Sequence, residues 1–269
     1  VRALTRRSMV LFGSILLLCL TGWLYWPFFS GLHGAERIED RLIKAPIQIP
    51  SLDDYAQVLS ALVTPDGRVA YDRMTPELHQ SLNQFLKEIA TATPAKYPRE
   101  NQRMAFYINA YNALVLSGVL KRMPLTSVKD TGPLNRFFRT RDYVVANVRV
   151  SLHGFETKII RRYNPLMHFG LNCASISCPP LQAKPFHPNS LIPQLEEAAT
   201  QFLADPRFNY FDPSTGVLYL SKIFDWYRDD FGGEQGVRHF IATYGPSQWP
   251  QNTPLNFLPY DWGLNAPIP

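Results

Sequence analysis

Cysteine is scarce in this 269-residue chain, which has three, at positions 19, 173 and 178. Cys19 lies in an apolar run near the start, so Cys173 and Cys178 are the only pair in the remainder, and a scaffold held by several disulfides is excluded. Basic runs interleaved with aromatics are absent as well. The formal net charge is +5, but three of the 27 basic residues are Arg2, Arg6 and Arg7, and the rest nearly balance the 22 acidic residues. Nothing there predicts a nucleic-acid partner. No internal repeat is present, and no His-x3-5-His element accompanies the cysteines as a zinc site of the common kind would require.

Charge is missing altogether from Ser8 to Phe29, a Leu-rich run long enough to cross a hydrocarbon core as a helix. The three arginines precede it, and Trp23, Tyr25 and Trp26 fall at its far end, where amphipathic rings prefer the headgroup layer. An A-x-A-like cleavage site is lacking, and Leu16, Leu17 and Leu18 stand where a lipoprotein signal needs a small residue before Cys19. The pattern therefore predicts a retained single-pass anchor over residues 1–30, arginines on the cytoplasmic side, a polar linker over 31–50, and a globular domain over 51–269 outside the cytoplasm. In a bacterium that places the domain in the periplasm, tethered to the inner membrane, with an envelope component as partner.

What the chain does have is 46% hydrophobic and 13% aromatic residues, enough for a substantial core. Ser51 with Asp53 and Asp54 predicts a helix to Leu62, and Thr75 with Pro76 predicts another to about Ala92. A third, from about Arg99 to Lys121, is apolar nearly all round and so central. Asn109 and Asn112 interrupt it and, being buried, need partners; pinning neighbouring loops is the reading preferred over ligand contact. Alternation through YVVANVRVSL predicts a hairpin turning at Ala146 and Asn147, followed by a helix from Leu152 to Arg162. Met167 to Asn172 reads as a short buried strand. A helix from about Asn189 to Leu203, a hairpin turning at PSTG, a junction ending at Gly232 and Gly233 and a short helix to Tyr244 complete the pattern. The predicted class is α+β, helix-rich, with a small antiparallel sheet preceded by the transmembrane helix.

Five ordered motifs then resemble the DUF547 family, found in bacterial envelope proteins and plants: AFYINAYNALV at 105–115, SLHGFETKIIRR at 151–162, HFGLNCASISCPPL at 168–181, LSKIFDWYRDDFGG at 220–233 and PYDWGLN near the end. Two positions depart from the family pattern. Phe155, Glu156 and Thr157 stand where many members read I-E-H, and Asn164, Pro165 and Leu166 where many read D-P-R. The family name implies no activity.

Chemistry is expected between His168 and Leu181. The leading reading is structural: a Cys173–Cys178 disulfide worth roughly 2 kcal/mol by chain entropy, in a binding or scaffolding module without cofactor or metal. The alternative is a cysteine hydrolase or acyltransferase loosely of papain or transglutaminase type, with Cys173 as nucleophile and His168 and Glu156 as its partners. On an extended strand the odd offset from His168 to Cys173 points the two side chains to opposite faces, which leaves His153 and His187 as freer bases. Zinc on the two cysteines and two histidines is a third reading, at a loose spacing. His33, His79 and His239 read as surface residues, and Trp226, Tyr227, Asp229 and Asp230 as packing and dipole complementation rather than a pocket.

Overall fold

The predicted cap at Thr75 starts its helix, whereas Ser51 stands one residue ahead of the N-cap of the first helix, Leu52. Ser51 Oγ accepts the Asp53 N–H at 3.2 Å ahead of α1 (Asp53–Leu62), and Thr75 Oγ1 accepts the Leu78 N–H at 3.3 Å ahead of α2 (Pro76–Thr91), which has proline in its first turn. The computed structural model describes residues 46–267, apart from 134 and 251. The predicted anchor and most of the linker lie outside the described residues, and no described helix is long and apolar enough to cross a membrane.

Residues from Gln48 onward form one compact unit built around α3 (Glu100–Leu120), buried from Met104 through Val119 on all sides except at Tyr107. Its two asparagines do what burial demands. Asn109 Nδ2 donates to the Phe186 carbonyl at 2.7 Å while its Oδ1 accepts the Phe186 N–H at 2.9 Å. Asn112 Nδ2 donates to the Gly170 carbonyl at 2.8 Å and its Oδ1 accepts the Asn172 N–H at 2.9 Å. Both amides pin loops, and the second pins the segment leading into Cys173.

After the helical turn α4 (Arg136–Arg139) comes the predicted hairpin, β1 (Tyr143–Val145) paired antiparallel with β2 (Val148–Val150). Ala146 and Asn147 have φ of 51° and 62°, the left-handed pair that a tight two-residue hairpin turn requires. Next come α5 (Leu152–Lys158), whose cap is Ser151 Oγ on the Gly154 N–H, and α6 (Met167–Gly170).

Here the predicted strand over 167–172 is corrected. Asn164 Oδ1 accepts the Leu166 N–H at 2.9 Å, and the backbone closes helical bonds from Met167, His168 and Phe169 before extending only at Leu171. A short apolar run does not distinguish a buried strand from a buried helical turn, and the Asn-Pro start tips this one to helix.

The chain continues through α7 (Leu191–Ala204), β3 (Tyr210–Asp212), β4 (Val217–Leu220), α8 (Ile223–Trp226) and α9 (Gly233–Tyr244) to β5 (Leu255–Phe257). A second correction concerns the sheet. There are two small ones among the described residues, and the larger is mixed: β3 pairs antiparallel with β4, but β5 pairs parallel with β4, because the chain returns through α8 and α9 before re-entering in the same direction. The class is α+β and helix-rich, as predicted. A phenylalanine cluster packs α6 to α7, α8 and α9, with Phe169 stacked on Phe240 at 5.1 Å and 5.6 Å from Phe202.

Candidate active site

Cys173 reaches its place through polar pins. Asn172 Nδ2 donates to the Pro179 carbonyl at 2.8 Å, and its Oδ1 accepts the Ala174 N–H at 2.9 Å and Asn265 Nδ2 at 3.1 Å. Tyr71 Oη then donates to Asn265 Oδ1 at 2.7 Å. One buried amide thus closes the loop from Cys173 to Cys178 and ties it to the C-terminal segment. Ala174 is held at φ 62°, a left-handed conformation costly for a residue with a Cβ, so the turn beside the thiol is imposed by its surroundings.

The two cysteines are free thiols, which corrects the predicted disulfide. Cys178 Sγ faces the Cys173 backbone N–H and accepts it at 2.8 Å, while Cys173 Sγ turns toward Tyr260 Oη at 3.1 Å and Ser175 Oγ at 3.4 Å. The side chains are directed to these partners instead of to a common bond axis. The scaffold reading loses the bridge on which it rested. Among the described residues no group of three His, Cys, Asp or Glu side chains could hold a metal ion.

The environments of the two thiols differ sharply. Burial would raise the Cys173 thiol, but hydrogen bonds with Cys178, Ser175 and Tyr260 outweigh it and lower it to about 7. Cys178 goes the other way, pushed well above its ordinary value by burial and then by its contact with Cys173. Cys173 is the half-buried member and Cys178 the buried one, so the thiolate belongs to the sulfur that a reagent can reach.

Cys173 opens on a cleft of about 200 Å³ that Glu156, His168 and His153 also line. All three residues predicted as a catalytic group are therefore brought to one cavity. His153 and Glu156 stand three apart on α5, on one face of the helix. Glu156 is held between two tyrosines, with Tyr227 Oη donating to Oε1 at 2.6 Å and Tyr111 Oη to Oε2 at 3.4 Å. Burial first, and the Glu156 charge second, hold both phenols far above their usual range, so they remain donors. His187, the other free base predicted, lies in a separate cavity beside Phe106 and Tyr97. Thr157 Oγ1 donates to the His153 carbonyl at 2.7 Å.

His168 does not hydrogen-bond Cys173. Its Nε2 meets Asp230 Oδ2 at 2.8 Å, and Arg161 grips the same carboxylate with Nε and Nη2, both at 2.6 Å. The imidazole, 6% exposed, stacks on Tyr227 at 4.2 Å. His168 thus positions the tyrosine that holds Glu156. Burial would raise the Asp230 carboxyl, but His168 and Arg161 hold it well below the usual carboxylate range.

Sequence reasoning misses four participants. Asp230, Tyr227 and Trp226 read as packing, although an aromatic and acidic cluster at a helix start is a visible signal; Tyr227 and Trp226 in fact line the cleft. Tyr260, in the PYDWGLN motif, carries no chemical signal of its own. Asp229 does not line the cleft.

Most backbone amides of the turn are engaged within the protein. Cys173 donates to Cys178 Sγ, Ala174 to Asn172, Ile176 to the Gly263 carbonyl and Ser177 to the Asp261 carbonyl. On the cleft, the side chains of His153 and Arg139 have no hydrogen-bond partner among the described residues and are among the N–H groups open to a ligand, with Asn135, Trp226 and Trp262.

No curated protein and no solved structure matches the chain. The model of the family described as "Protein of unknown function, DUF547" matches residues 94–203, the span holding α3, Glu156, His168, Cys173 and Cys178, and over that span the chain is similar to the DUF547 family.

Proposed function

We propose that the domain is a cysteine-dependent acyl-transfer enzyme, a hydrolase or acyltransferase, with Cys173 as nucleophile. The observation that supports it is the thiol at the cleft wall, accessible, unbridged and lowered to about 7. In the reaction the Cys173 thiolate bonds to the acyl carbon and the carbonyl electron pair moves onto oxygen, where Arg139 and His153 can donate. Collapse of the adduct breaks the bond to the leaving group, which takes a proton from a cleft acid. Water or a second acceptor then attacks the thioester, loses its proton to His153 or Glu156, and releases sulfur as thiolate. Glu156, fixed by Tyr111 and Tyr227, serves that proton transfer, and His168, locked on Asp230, keeps Tyr227 in place.

Alkylation with iodoacetamide across pH, read by peptide mass spectrometry, tests the nucleophile, and p-nitrophenyl acetate tests acyl transfer. Modification confined to Cys173 with a midpoint near 7, together with a p-nitrophenol burst and an acetyl group trapped on Cys173, is the expected outcome. A midpoint near the ordinary cysteine value of about 8.5 and no adduct would overturn the reading.

We also propose that the Ser8–Phe29 run tethers the domain to a membrane with the domain outside the cytoplasm, where it would act on an envelope ligand. Three arginines ahead of an uncharged run support this. Alkaline phosphatase fused after Pro269 should be active; an inactive fusion, with activity from a cytoplasmic reporter instead, contradicts it.

A further inference from the structure

We infer that Tyr260, with Ser175 as its second, is the hydrogen-bond donor that holds Cys173 as a thiolate, in the role a histidine commonly fills in thiol enzymes. This deepens the acyl-transfer reading and rests on it for its purpose, though not for its test.

The imidazole nearest in sequence is not a partner of the sulfur: His168 Nε2 meets Asp230, and no hydrogen bond joins its ring to Cys173 among the described residues. No charged group hydrogen-bonds Cys173 Sγ among the described residues; beside the neighbouring Cys178 thiol and the Ser175 backbone, the partners are two hydroxyls, Tyr260 Oη at 3.1 Å and Ser175 Oγ at 3.4 Å. Among the described residues neither hydroxyl hydrogen-bonds a group outside the cysteine pair, and Ser175 is 1% exposed. A buried hydroxyl whose one outlet is sulfur gains most when the sulfur carries charge, since hydrogen bonds to ionised acceptors are about twice as strong as neutral ones. Burial holds the Tyr260 phenol well above its ordinary range, so it remains a donor while Cys173 ionises.

The approach of Tyr260 is built, not incidental. The C-terminal segment zips along the loop that starts at Cys173: Ile176 donates to the Gly263 carbonyl at 2.8 Å, Ser177 to the Asp261 carbonyl at 3.2 Å, and Asp261 N–H to Ser177 Oγ at 2.8 Å. The phenol ring is wedged between Trp226 at 4.7 Å and Trp262 at 4.6 Å. The family-matched span thus supplies the nucleophile, and a residue well beyond it supplies the group that ionises it.

The test is the pH profile of Cys173 alkylation by iodoacetamide in the purified protein, which needs no substrate. Tyr260→Phe should move the midpoint up, so that at pH 6 the rate falls about tenfold for each pH unit the midpoint rises, with the limiting rate above about pH 9.5 retained. Ser175→Ala should move it the same way by less. Should Tyr260→Phe misfold, 3-fluorotyrosine placed at 260 keeps the ring and sharpens the donor, and should move the midpoint down. An unchanged midpoint in Tyr260→Phe, or one that moves in His168→Gln or His153→Gln instead, overturns the inference. Midpoints that shift as stated in a protein forming no acyl adduct would leave this inference standing and remove acyl transfer.

Discussion

Asn112 Oδ1 accepts the backbone N–H of Asn172 at 2.9 Å, so the central helix grips the chain one residue before the nucleophile. Its amide nitrogen grips the Gly170 carbonyl from the other end, and all these groups are buried. Replacing Asn112 by Ala leaves two backbone groups without partners, at about 1–3 kcal/mol each. Urea unfolding should show a loss of at least about 2 kcal/mol, with slower Cys173 alkylation near pH 7 as the loop loosens. A loss below about 0.5 kcal/mol would mean that water or another group takes over the bonds.

Core truncation on the same helix should cost about as much. Leu114 and Phe106 are 4% and 8% exposed, and Phe106 also meets Tyr97 edge-on at 5.8 Å. Leu114→Ala and Phe106→Ala should each destabilise by roughly 2–5 kcal/mol in urea. Values well under about 1 kcal/mol at both positions would place the core elsewhere.

The Asp230 carboxyl gives the fold an acid limit. Its folded value is held below the unfolded value of about 3.9, so its stabilisation is complete above that pH and is lost as pH falls through the folded value. The urea midpoint should therefore drop more steeply below about pH 4 in the wild type than in Asp230→Asn, which has already lost the ion pairs with His168 and Arg161. Parallel declines would show that other carboxyl groups set the acid limit.

Gly67 tests how closely the site loop is backed. A Cβ there would clash with Pro180 Cβ, at a backbone φ of 76°, and the Gly67 carbonyl accepts the Leu181 N–H at 3.3 Å. Gly67→Ala should cost about 1–3 kcal/mol through overpacking alone. Thermal unfolding no lower than that of the wild type would show that the proline pair can move aside.

Features that depend on near neighbours along the chain are legible in the sequence itself. The cap at Thr75, the all-round burial of α3, the left-handed pair Ala146 and Asn147 and the stop at Gly232 and Gly233 are each set within a few residues. The two α3 asparagines stand out as buried amides in need of partners, and the stretch from His168 to Leu181 stands out as the place for chemistry. Tertiary structure decided the rest. Whether Met167–Gly170 is helix or strand, and whether β5 runs parallel to β4, depend on packing that no local pattern encodes. The state of the site depended on partners both near and distant, because Ser175 and Cys178 stand within five residues of Cys173, while Tyr260 lies 87 residues from Cys173 and Asp230 lies 62 from His168. A histidine and two cysteines in one short segment mark where reactive groups are, but the folded loop, which sets Cys178 and Ser175 beside Cys173 and brings Tyr260 from the far end of the chain, favours one sulfur as thiolate, and Asp230 holds the His168 imidazole.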